Sequence, residues 1–121
     1  MKRHNFKNLK IWQESMTLVS ETYEIVTKFP EFERFGLVSQ LTRCAVSIPS
    51  NIAEGSSKSS NKHFKTFIET SLGSAFEWQT QIIIAQNRNY INKEDFINLE
   101  SKILQLQKMI SKFLSHLDSD I

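Results

Sequence analysis

Apolar residues recur along most of this chain at alternating three- and four-residue steps, the period of one helix face. The series is cleanest near the end, where Phe96, Leu99, Ile103, Leu106, Ile110, Phe113 and Leu117 follow without a break. Earlier stretches repeat it. Leu9, Trp12, Met16, Val19, Tyr23 and Val26 form one heptad line, and Val38, Leu41, Ala45, Ile48 and Ile52 form a second. A third runs Phe64, Ile68, Ser71, Ala75, Trp78, Ile82, Ala85. These lines predict four helices over approximately residues 8–29, 33–55, 60–87 and 93–117. No two-residue alternation competes anywhere. The breaks are chemically distinct: Pro30 disfavours helix at Phe29, Gly55–Asn61 is rich in serine, and Asn87–Asn92 is rich in asparagine. Ser59 or Ser60 is placed to cap the third helix and Asn92 the fourth, with Glu94 and Asp95 in a first turn that favours acids. Four heptad helices with short connections predict an all-α, antiparallel up-down-up-down four-helix bundle occupying residues 1–121 as one domain.

Two helices carry more apolar surface than one buried face needs. Ile11, Leu18 and Ile25 form a second line on the first helix, about 100° from Trp12. It either widens the buried face or offers a surface to another subunit. Leu72, Phe76 and Ile83 do the same on the third helix, beside small residues Gly73, Ser74 and Ala75 that would let a neighbour approach closely.

The stretch Gln40–Gly55 departs from this generic pattern. Pro49 interrupts an apolar line that continues to Ile52. A proline inside a helix removes one backbone hydrogen bond and costs ~3 kcal/mol, so a helix kinked at Pro49 is expected. Gly55 suits a left-handed helix terminus. On the polar side Arg43, Asn51 and Glu54, joined by Glu77, form a structural or interface network around Pro49. Arg43 would pair with a carboxylate, and Asn51 or Ser50 would satisfy backbone groups that Pro49 frees. The same groups could instead form a recognition surface between subunits or for a ligand.

This stretch resembles the signature of a bacterial four-helix-bundle family, the proteins encoded in 23S rRNA intervening sequences, roughly Q-L-R-R-A-A-x-S-I-P-x-N-I-A-E-G. The flanks agree: Leu9-Lys10-Ile11-Trp12, Phe29-Pro30 with Glu33, and Phe67 with Gly73-Ser74 and Glu77. The resemblance implies an antiparallel bundle that assembles as a homo-oligomer, a pentamer. It also implies a link to rRNA genes and to a nucleic-acid-binding relative, the accessory protein of diversity-generating retroelements. Two positions depart from the pattern: Thr42 stands in place of an arginine, and Cys44 in place of an alanine.

Charge changes the picture only once topology is added. The 121 residues carry a net charge of +2, but an up-down-up-down bundle gathers Lys2, Arg3, Lys7, Lys10, Lys58, Lys62 and Lys65 at one pole, with Lys108 and Lys112 arriving from the fourth helix. The opposite pole mixes Glu31, Glu33, Glu94 and Asp95 with Lys28, Arg34, Arg88 and Lys93. A basic end is either a solvated surface or a site for RNA or DNA phosphates, multiplied if a ring points every copy the same way. An alternative function is a protein-interaction adaptor using Ile11-Leu18-Ile25 or Leu72-Phe76-Ile83.

Other chemistry is poorly represented. His4, His63 and His116 lack a ligand partner at metal spacing, and Ser60 and Phe113 occupy the positions a Glu-x-x-His repeat would fill. No glycine-rich phosphate loop, cofactor motif or small-molecule substrate site is evident. A lone Cys44 could be a nucleophile only with an adjacent base, and fits a buried small residue as well. The longest aliphatic run, Ile82–Ala85, is far short of a membrane span, and no secretory signal opens the chain. A non-enzymatic cytoplasmic protein is the expectation.

Overall fold

The computed structural model describes residues 4–119. Four helices run α1 (Lys10–Ile25), α2 (Leu37–Ser56), α3 (Asn61–Asn87) and α4 (Lys93–Ser119), with no strand among the described residues. Each helix packs against the next in sequence, and α1 and α4 close the bundle. The expected four-helix bundle is the fold.

The ends obey local chemistry. Ser60 Oγ accepts from the His63 N–H at 3.2 Å, and Asn92 Oδ1 accepts from the Asp95 N–H at 2.7 Å. Both satisfy a donor that the first helical turn leaves open. Asn89 has φ 64° where α3 ends, a left-handed conformation that asparagine tolerates. The start of α2 falls later than residue 33. Residues Glu31–Glu33 form a 3-10 turn, and the Glu33 carboxylate accepts from the Leu37 N–H at 3.2 Å. Its other oxygen accepts from the Tyr90 hydroxyl at 2.9 Å, tying the first and third connections together.

The core corrects the reading of α1. Ile11, Leu18 and Ile25 are buried, whereas Trp12 and Val19 are half-buried and Met16 and Tyr23 exposed. The line with the more regular repeat lies on the flank, with Leu9, Trp12, Val19 and Val26 packed against the edge of the core and Met16 and Tyr23 in solvent. Ser15 and Thr22 sit between the buried isoleucines and leucine, and each hydroxyl donates to its own helix, to the Ile11 and Leu18 carbonyls. A hydroxyl satisfied in this way is cheap to bury. Thr22 Oγ1 also accepts from the buried indole N–H of Trp78 at 3.0 Å, linking α1 to α3 across the core. In α2 and α4 the expected lines are the buried ones, from Leu41 to Ile52 and from Leu99 to Leu117.

Gly55 also needs correction. No glycine has positive φ, and α2 continues past it to Ser56. The residue is small for a packing reason: a Cβ there would lie 2.7 Å from Phe67 Cβ and 2.8 Å from Phe64 Cδ1. Gly73 is the reverse case, with nothing within 4 Å of such a Cβ. Close helix approach there falls to Ser74 and Ala75 alone.

Candidate nucleic-acid interface

The basic end is assembled by aromatic contacts between separate segments. A 3-10 turn at Phe6–Asn8 precedes α1, held by Asn5 Oδ1 accepting from the Lys7 N–H at 3.2 Å and by Gln13 Nε2 donating to the Lys7 carbonyl at 2.8 Å. The His4 ring meets Phe64 of α3 at 5.2 Å and Phe113 of α4 at 5.9 Å. Lys7 at the start of α1, Lys62 at the start of α3 and Lys112 near the end of α4 therefore share one end of the bundle. Lys10, Lys112 and His116 rim a largely apolar hollow of about 210 Å³. The Lys58 ammonium lies 4.9 Å from the Phe67 ring centroid, within cation–π range.

Not every cation there is equally available. Lys65 pairs with Asp118 at 2.7 Å; the hydrogen bond to that carboxylate, followed by its charge, raises the lysine pKa. Lys2 and Arg3 lie outside the described residues. Of the remaining candidates, Lys7, Lys10 and Lys62 are exposed and Lys58 is half-buried. The other end is electrically mixed: Lys28 pairs with Asp95 at 3.1 Å and Arg34 with Glu31 at 3.7 Å.

The network around Pro49 forms differently from expectation. Arg43 and Glu77 line one polar groove between α2 and α3, about 340 Å³ in volume, but no ion pair among the described residues involves Arg43, Glu54 or Glu77. The physical reason is twofold. Arg43 and Glu54 are three helical turns apart, roughly 16 Å. Arg43 and Glu77 are both exposed, and pairing in water gains little against the entropy of fixing two side chains. Asn51 does not reach the carbonyl that Pro49 leaves without a donor, that of Ala45. Its amide donates instead to the Ser47 carbonyl at 2.8 Å and to Ser47 Oγ at 3.0 Å. Helix α2 nevertheless runs through Pro49 without interruption.

What joins α2 to α3 is a ladder of small polar groups. Ser47 Oγ and Ser74 Oγ are 2.8 Å apart, the Cys44 thiol donates to the Ser74 carbonyl at 3.0 Å, and the buried Ser71 hydroxyl donates to the Ile48 carbonyl at 2.9 Å. Sequence reasoning places Ser71 in the apolar line of α3 and Ser74 among its small residues, but gives neither a helix-bridging hydrogen bond. The signal for Ser71 is a polar residue inside an apolar line. Thr42 resembles them, its hydroxyl bonded to the Val38 and Ser39 carbonyls of its own helix. Burial, reinforced by the charge of Glu77 and a hydrogen bond to it, pushes the Cys44 thiol up from 9.0 to about 12. At neutral pH it is a protonated, buried group, not a thiolate nucleophile. Among the described residues no group of three His, Cys, Asp or Glu side chains could hold a metal ion, and no helix is long and apolar enough to cross a membrane.

These features define an antiparallel four-helix bundle with one basic end and a serine-zipped α2–α3 seam. The chain belongs to the 23S rRNA-intervening sequence protein family, which it matches over residues 7–112. Its fold is similar to the crystal structure of a protein of unknown function from the S23 ribosomal protein family of Bacteroides thetaiotaomicron VPI-5482, at a TM-score of 0.77 and 19% identity, covering 86% of this chain and 97% of that one. Among curated proteins none matches the chain.

Proposed function

We propose that this protein is a non-enzymatic, homo-oligomeric helical scaffold, a pentamer as the family resemblance implies, whose basic end binds RNA or DNA with little sequence preference. The observation that carries this reading is the gathering of Lys7, Lys10, Lys58, Lys62 and Lys112 from four segments at the end where His4 meets Phe64 and Phe113. Cyclic assembly points every copy the same way and repeats that cluster on one face. Lysines on such a face exchange condensed counterions for phosphates, so affinity falls steeply as salt rises. The hollow between Lys10, Lys112 and His116 is apolar, so the chemistry of contact is charge at the rim and no base-specific hydrogen-bond code. Cytoplasmic residence is part of this reading.

The test is fluorescence anisotropy of labelled single-stranded RNA and duplex DNA at low and high salt. Binding at micromolar protein that weakens with salt, and that Lys7→Glu with Lys62→Glu removes for both polymers alike, supports the reading. Flat anisotropy at low salt up to micromolar protein overturns it.

A second reading, a protein-interaction adaptor, is favoured by the exposure of Phe76 and Ile83 beside Leu72. Ile11, Leu18 and Ile25 take no part in it, because they are buried. A defined protein that copurifies with the wild type and is lost with Phe76→Glu would favour it.

A further inference from the structure

The bundle has four lateral faces, and they differ in charge. The α1/α4 face holds Glu21, Glu24, Lys28, Asp95 and Lys102, with ion pairs Lys28–Asp95 and Lys102–Glu21. The α2/α3 face is the polar groove of Arg43, Ser47, Ser74 and Glu77. The other two faces are different. Between α1 and α2 lies an apolar groove of about 290 Å³, lined by Trp12, Met16, Val19, Val46, Pro49 and Ala53, with no charged residue along it. Met16 is 41% and Val46 39% exposed.

On the opposite side, Gln107 of α4 donates to Gln79 of α3 at 2.8 Å across the seam. Residues three or four positions from those glutamines share their face. On α3 these are Phe76 and Ile83, 53% and 37% exposed; on α4 it is Leu104, 42% exposed. These three side chains form an apolar edge, on a side that also carries the Lys65–Asp118 ion pair between α3 and α4. Trp12 to Tyr23 on one face and Leu72 to Ile83 on the other each span eleven residue steps, about 16 Å of helix.

We infer that the α1/α2 groove of one copy receives the α3/α4 edge of a second copy of this chain. A single copy exposes both surfaces, and one kind of contact covers both. The groove's loss of charge with Trp and Met along it, and an exposed Phe on the edge, are the composition of an interface centre, and contiguous apolar patches of several hundred Å² are rare on free monomers. The area is adequate: α1 is 16 residues long, about 24 Å, and two adjacent helices span about 20 Å, so each projected face is roughly 500 Å², on the order of the ~800 Å² of accessible surface per partner in a stable complex. Because the two surfaces are distinct and lie on opposite sides, the contact is head-to-tail. Such contacts close into rings when the rotation permits. The inference rests on the self-associating reading above and specifies which faces carry it.

The test is mass by light scattering of the full chain, with far-UV circular dichroism to confirm helix content. Val46→Glu and Phe76→Glu alter opposite faces at positions exposed in the single bundle, and Met16→Glu is a second variant of the groove. Each is expected to reduce the particle to 14.1 kDa, while Glu77→Gln on the polar face leaves the wild-type mass. Mixing Val46→Glu with Phe76→Glu is the sharper step, since each retains the face the other lacks. The expected product is a particle of twice 14.1 kDa and no larger. An oligomeric wild type whose mass none of the folded variants changes, or a mixture that stays at one copy, overturns the assigned faces but leaves self-association standing. A wild type of 14.1 kDa at all concentrations overturns both.

Discussion

Helices α1 and α4 look alike as patterns and behave differently as structure. In α4 the regular line from Leu99 to Leu117 is the buried line, and outward positions such as Leu104 stand apart from it. In α1 the regular line Trp12–Met16–Val19–Tyr23 lies on the flank, half-buried at Trp12 and Val19 and exposed at Met16 and Tyr23, and the buried face consists of Ile11, Leu18 and Ile25 with two hydroxyl residues between them. The lesson is that counting apolar residues is a poor guide to which side of a doubly apolar helix is inside. Shape and satisfiable polarity decide. Ser15 and Thr22 are short, bond their own backbone, and in Thr22's case complete the hydrogen bond that a buried Trp78 requires. The longer, larger side chains of Trp12, Met16 and Tyr23 are left for the flank.

The strongest way to break this comparison is truncation on the two sides of α1. Leu18 is 2% exposed, so Leu18→Ala is expected to lower unfolding free energy by about 2–5 kcal/mol, with Ile110→Ala in α4 in the same range. Met16→Ala should cost less than about 1 kcal/mol in the dissociated protein. Urea denaturation measures all three, and a Met16 cost equal to that of Leu18 would mean the faces are reversed. A smaller effect follows from Thr22→Val, which keeps the shape and leaves the Trp78 indole N–H unpaired. About 1–3 kcal/mol should be lost, whereas Ser15→Ala, which strands no partner, should be nearly neutral.

Cys44 extends the contrast to a polar group that its surroundings do not repair when ionised. Its thiol is raised from 9.0 to about 12 in the folded protein. The native state therefore keeps a proton that the unfolded chain releases. Its contribution is fully present below pH 9 and is lost as pH climbs toward about 12, with a slope of about 1.4 kcal/mol per pH unit. Unfolding free energies of wild type and Cys44→Ala, compared from pH 8 to pH 10.5, should run parallel up to about pH 9 and draw together above it, and curves parallel throughout would count against the shift. The native thiol should also resist alkylation at pH 8. The smallest effect belongs to the charged seam between α1 and α4. Lys102→Met removes the partner of Glu21, and for a pair with an exposed lysine and a half-buried carboxylate the loss should be about 1 kcal/mol and diminish in high salt.

Parts of the basic end were legible because topology follows from connection length. Connections at residues 26–36, 57–60 and 88–92 are short enough to make adjacent helices run antiparallel, and antiparallel helices carry Lys7, Lys62 and Lys112 to one end. The network near Pro49 was less legible. Residue type suggested an arginine–carboxylate pair, but its members face solvent, and the seam is held by Ser47, Ser74, Ser71 and Cys44. Gly55 shows the same limit from the other side. Its lack of a side chain reads locally as a backbone turn, yet what forbids a Cβ is Phe64 and Phe67 on another helix.

The amino-acid order alone determined four helices, the N-caps of α3 and α4, the alternation of the helices and the family, because each depends on steps of three and four residues or on a short local signature. Only the packed bundle decided which side of α1 is interior, which serines bridge helices, and which faces expose apolar side chains. Those outcomes depend on side chains distant in sequence competing for the same volume, and periodicity carries no information about that competition.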